Sequence, residues 1–84
     1  MQLTERKINI KNSTLNHLII ELKEECQTVI SLINQLELCN LTDNQKEDIL
    51  VELLTSTIHL NFHCDRDLQE LISDELESAD YVEN

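Results

Sequence analysis

From Ser13 onward the apolar positions of the chain recur every three or four residues: Leu15, Leu18, Ile19, Leu22, Cys26, Val29, Ile30, Ile33 and Leu36. At about 100° per residue they fall in one arc roughly 120° wide. Glu21, Glu24, Gln27, Ser31 and Gln35 lie opposite. In heptad terms Ile19, Cys26 and Ile33 take position a, and Leu15, Leu22, Val29 and Leu36 take position d, with Leu18 and Ile30 widening the stripe. The spacing predicts an amphipathic helix over 13–39. Asn12 or Ser13 supplies a side-chain oxygen to cap its first amides.

The stretch Cys39-Asn40-Leu41-Thr42-Asp43-Asn44-Gln45 interrupts the period. Thr42 and Gln45 stand three apart, the spacing of a capping box. Asp43, Glu47 and Asp48 follow in the first turns, where the helix dipole favours anions. A second helix is therefore expected over 43–62, with its stripe on Leu50, Leu53, Leu54, Thr57, Ile58 and Leu60. So short a connection makes the two helices an antiparallel hairpin. Asn61, Cys64, Leu68, Leu71, Ile72 and Leu76 keep the same phase, so 65–77 either continues the second helix or forms a short third one capped by Asp65.

Residues 1–12 read as a polar N-terminal arm, 13–78 as a single helical domain, and 79–84 as a frayed acidic tail. The fold class is thus all-α. A lone hairpin leaves much of each stripe wet, at about 25 cal/mol per Å² forfeited. The expectation is dimerisation into a four-helix bundle through Leu15, Ile19, Leu22, Cys26, Val29, Ile33, Leu36, Leu50, Leu54, Thr57, Asn61, Leu68 and Leu71. Asn61 is a polar a-type residue, a device that fixes register and oligomer state at some cost in stability.

Composition sharpens this picture. The 84 residues include no Gly, no Pro, no Trp, one Phe and one Tyr. Turns needing φ > 0 and phosphate-cradling loops are thereby poorly supplied. The formal charge is −11, distributed as +2 over residues 1–12 and −13 over the rest. Nothing supplies a cationic face for phosphate, so direct binding to nucleic acid or to an acidic membrane is disfavoured. A partner protein, with a basic surface in the sharper version, fits better. The acids Asp65, Asp67, Glu70, Asp74, Glu75 and Glu77 are the candidate partner surface, either as a solvated face or as a mimic of DNA phosphates. Three widely spaced cysteines, Cys26, Cys39 and Cys64, and no opening secretory-type apolar run point to reduced thiols in the cytoplasm. The sequons at Asn12 and Asn40 are read as chance on the same ground.

One stretch, Thr57-Ile58-His59-Leu60-Asn61-Phe62-His63-Cys64-Asp65, gathers residues that ligate metals. His59 and His63 are i and i+4, so they share a helix face. The glutamate of a zincin helix is missing between them, and the spacing matches no common zinc module. The expectation is His59 and His63 outward, with Cys64 and Asn61 turned into the seam. His59, His63 and Cys64 remain the metal candidates only if the helix bends there. No nucleophile–base–orienter set is complete. The chain reads as a non-enzymatic regulator, adaptor or inhibitor without a cofactor; the alternatives are a DNA-mimic inhibitor of a nucleic-acid enzyme and a metal-binding helical protein.

Overall fold

The computed structural model describes residues 8–78, which contain three α-helices and no strand: α1 (Ser13–Leu36), α2 (Asp43–His63) and α3 (Arg66–Ser78). The acidic tail at 79–84 and residues 1–7 of the polar arm lie outside the described residues.

Local chemistry sets each boundary. Asn12 caps α1 by accepting from the Leu15 amide at 3.0 Å. Helix α1 ends at Leu36, the last apolar position of its stripe and three residues short of the expected end at 39. The connection then passes through Asn40, whose φ of 67° is the left-handed conformation. Asparagine tolerates it because its short side chain bonds locally, and this chain has no glycine to place there. At the start of α2 the capping box is closed. The Gln45 amide donates to Thr42 Oγ1 at 3.0 Å, and the Thr42 amide donates to Gln45 Oε1 at 2.9 Å. Thr42→Ala removes the first of these bonds and leaves an orphan amide, which costs about 1 kcal/mol. Urea unfolding of the variant measures that loss, while Gln45→Glu in the native background should keep the return bond, since a carboxylate oxygen accepts from the same amide.

Helix α2 stops at His63, with Cys64 at its C-cap. Asp65 then starts α3, its Oδ1 accepting from the Leu68 amide at 3.3 Å. The short third helix is therefore the arrangement adopted. Gln69 Nε2 ties the joint by donating to the Cys64 carbonyl at 2.9 Å.

Helix α1 is the spine. It packs along α2 and more lightly against α3. Glu25 of α1 meets His59 and His63 of α2. Nearer the connection, Thr28 and Leu32 line a common groove with Val51 and Ser56. The two helices therefore run antiparallel. The N-terminal part of α1 is left to α3, where Thr14 and Leu18 line a groove with Asp67 and Leu71.

Among the described residues the buried set is small. Its apolar members are Leu15, Leu32, Ile49 and Leu68, and Ser56 is the buried polar residue. Ile49, Leu53, Ser56, Leu60 and His63 mark the side of α2 turned inward, at i, i+4, i+7, i+11 and i+14. That is not the arc read from the sequence. Leu50, Leu54, Thr57, Ile58 and Asn61 are all exposed, while Leu32, Ile49 and Ser56, absent from the predicted seam, are buried. The physical reason is that α2 carries two apolar stripes, and a single arc drawn through both lies between them.

Candidate functional site

The second stripe of α2 is the most prominent feature of the surface. Leu50, Leu54, Ile58 and Phe62 follow one another at intervals of four, with Val51 beside them, and are 49–67% exposed. Their mean direction is roughly 170° from that of the inward side, taking about 100° per residue. The helix is thus apolar on both faces, as helices covered on both sides are. Asn61 is the polar residue on this outer face, and no charge interrupts it between Leu50 and Phe62. The flanking threonines keep their hydroxyls occupied. Thr55 donates to the Val51 carbonyl at 3.1 Å and Thr57 to the Leu54 carbonyl at 2.7 Å. Further apolar side chains are exposed at Ile30, Ile33 and Leu38 near the hairpin end and at Ile72 and Leu76 on α3.

The residues named for the interface divide three ways. Leu15 and Leu68 are buried within the chain. Ile19, Leu22, Cys26, Val29, Leu36 and Leu71 are half-buried, and Ile33, Leu50, Leu54, Thr57 and Asn61 are exposed. Only the last group is free to meet a partner without unfolding.

The histidine stretch resolves differently from its sequence reading. His63 is half-buried and turned toward α1, because it lies on the same side as Ile49, Ser56 and Leu60. His59 and His63 both approach Glu25, a half-buried residue of α1. The Glu25 Oε1 distances are 3.6 Å to His59 Nδ1 and 3.7 Å to His63 Nε2. Both exceed a hydrogen bond, so these are through-space pairings that act when an imidazole is protonated. Asn61 and Cys64, expected to turn inward, are exposed. Cys64 is the C-cap of α2: its amide still donates to the Leu60 carbonyl, but its φ of −100° and ψ of 25° leave the helical conformation. Among the described residues, no group of three or more His, Cys, Asp or Glu side chains is arranged to hold a metal ion. All three thiols are unpaired. Cys39 and Cys64 are exposed and Cys26 is half-buried.

The acidic set also separates. Asp65 is engaged in capping α3. Glu75 is half-buried and lines a groove with Asn9 and Lys11. Asp67, Glu70, Asp74 and Glu77 remain as an exposed row at i, i+3, i+7 and i+10, each step rising about 5 Å along the axis. His17 pairs with Glu21 one turn on, at 3.0 Å, on the surface of α1. No helix of the described residues is long and apolar enough to cross a membrane.

No protein-family model, curated protein or solved structure matches the chain. The functional reading therefore rests on these residues alone.

Proposed function

We propose that the protein is a small non-enzymatic regulator, adaptor or inhibitor that works by gripping other helices, in the form of a homodimer whose two hairpins build a four-helix bundle. The single observation that carries this reading is the outer stripe of α2. Leu50, Leu54, Ile58 and Phe62 stand in line with Val51 beside them, each about half exposed or more, while among the described residues four apolar side chains are buried. Exposed apolar patches of this kind mark interaction sites, because covering them recovers roughly 25 cal/mol per Å². The acids surrounding the stripe favour partners with basic rims and suppress acidic ones. The unpaired thiols fit a reducing, cytoplasmic setting.

A second reading draws on the row Asp67, Glu70, Asp74 and Glu77. Carboxylates along one side of a helix can occupy a cationic groove built for phosphates, as a DNA mimic does. The two readings differ in what holds the partner. Affinity capture from the native host is run with the wild-type chain, with Leu54→Glu/Ile58→Glu, and with Asp67→Asn/Glu70→Gln/Asp74→Asn/Glu77→Gln. The proposed function expects the partner to survive neutralisation of the row and to be lost with the stripe variant. Binding should change little with added salt, because screening weakens charge contacts and leaves apolar ones. The reverse pattern, with steep salt weakening and competition by duplex DNA, establishes the mimic instead.

A further inference from the structure

We infer that the groove between α1 and α2 beside Val51 is a receptor for an arginine side chain, presented by a basic partner protein. This rests on the helix-gripping reading above and deepens it. The apolar stripe holds the partner, and the groove next to it selects for a guanidinium.

The groove has the size and the floor for such a side chain. It encloses about 350 Å³, toward the lower end of the range for ligand pockets. Leu32, which is buried, and Val51 form its apolar part. The methylenes of an arginine can lie on such a surface while the charged head stays at the rim. Val51 also stands beside the stripe, so groove and stripe share an edge.

The polar atoms around this floor are set to accept. Glu25 on α1 and Glu52 on α2 put a carboxylate on each wall. The Glu25 side chain is 15% exposed, and its contacts with His59 and His63, at 3.6 and 3.7 Å, lie beyond hydrogen-bond distance. A carboxylate withdrawn that far from water is costly to leave without a donor. A cation entering the groove offsets the cost. Thr28 and Thr55 line the groove from the two helices. Each gives its proton to its own helix, Thr28 to the Glu24 carbonyl at 3.2 Å and Thr55 to the Val51 carbonyl at 3.1 Å. Their hydroxyl oxygens keep lone pairs for a further donor. Among the described residues no lysine or arginine lines the groove, and His59 is the one lining side chain that can turn cationic.

Acceptors on two walls call for a ligand with several donors in one plane. A guanidinium carries five N–H donors in a rigid fork and stays charged. An ammonium offers three donors from a single, strongly hydrated point. The groove therefore fits arginine better than lysine.

Titration of the full, isotope-labelled chain with blocked arginine (Nα-acetylarginine N-methylamide) tests the assignment, with amide NMR shifts as the readout. The solution is held at about pH 8, so that imidazolium does not compete, and at roughly 0.1 M salt, which screens diffuse attraction to the acidic surface. The expected result is saturable shifts centred on Thr28, Thr55 and Ser56. The dissociation constant should be on the order of 1 mM, the level that ligand efficiency sets for so small a molecule. Glu25→Gln and Glu52→Gln should each weaken binding by roughly 3-fold or more, and the double variant should no longer saturate. Blocked citrulline, which has a similar shape without the charge, should not bind. Helix content by circular dichroism shows that each variant is folded. Shifts spread along Asp67, Glu70, Asp74 and Glu77 instead, equal binding of blocked citrulline or blocked lysine, or an unchanged affinity in the double variant overturns the inference. The stripe is read separately. If blocked arginine fails to bind and the captured partner is still lost on Leu54→Glu/Ile58→Glu, the helix-gripping function stands without this groove. If blocked arginine binds and that variant keeps its partner, the groove stands and the stripe reading falls.

Discussion

Leu32→Ala lowers the unfolding free energy by about 2–4 kcal/mol, while Ile33→Ala, one residue along, costs less than about 1 kcal/mol. Leu32 is 3% exposed and Ile33 is 43% exposed. The first substitution deletes buried methyls at the point where α1 meets Ser56 and Val51 of α2, and leaves a void that neighbouring backbone cannot close. The second trims a side chain that already faces water. Urea unfolding at one fixed protein concentration, monitored by circular dichroism, checks both, since a dimer's stability depends on concentration. The pair is informative because a heptad reading of α1 places Ile33 in the seam and leaves Leu32 out. A larger loss for Ile33 than for Leu32 would mean that the helix is rotated about its axis from the arrangement described.

The contrast also shows where sequence reasoning succeeds in this chain and where it runs short. The helix starts were legible, while the end expected for α1 at 39 was three residues too far and the His17–Glu21 pair was not read. Asn12 capping Leu15, the closed box of Thr42 and Gln45, and the cap that Asp65 offers to Leu68 are each a short-range match between a side-chain oxygen and an orphan amide. Whether the chain broke at Cys64 was not legible from periodicity. A break of a few residues preserves the apolar phase, so Leu68 and Leu71 fit a continuous helix as well as a new one. The inward side of α2 was not legible either. Leu50 and Leu54 on one stripe and Leu53 and Leu60 on the other average to a single intermediate arc, although Ile49 and Ser56 are what α1 touches. Glu25 was passed over because its partners, His59 and His63, lie on another helix, and only the register of the hairpin brings them within 4 Å. Which face is inward is a property of pairing between elements, and the sequence pattern of one element does not contain it.

Leu68→Ala detaches α3 and leaves the α1–α2 hairpin folded. Leu68 is 4% exposed and is the buried residue of α3; Leu71 and Glu75 are half-buried, and Ile72 and Leu76 face water. Truncating a buried leucine costs about 2–5 kcal/mol. Helix α3 has only 13 residues, near or below the length at which an isolated helix is marginal in water. With its anchor gone, the docking that holds it helical is lost. The other contact at the joint is the bond from Gln69 Nε2 to the Cys64 carbonyl, on an exposed side chain, and such a bond is worth about 1 kcal/mol. Amide hydrogen exchange should therefore show protection lost across 66–78 and retained in 43–63. Circular dichroism should fall by the share of helix that α3 contributes. Because Leu15 is 1% exposed and lies in the part of α1 that α3 covers, its neighbourhood should gain exchange as well, while the Leu32–Ser56 region stays closed. Uniform loss of protection along the whole chain would mean instead that the three helices unfold as one cooperative unit. The same variant separates the two candidate surfaces, since the carboxylate row belongs to α3 and the apolar stripe to α2. A partner that survives Leu68→Ala is held by the stripe.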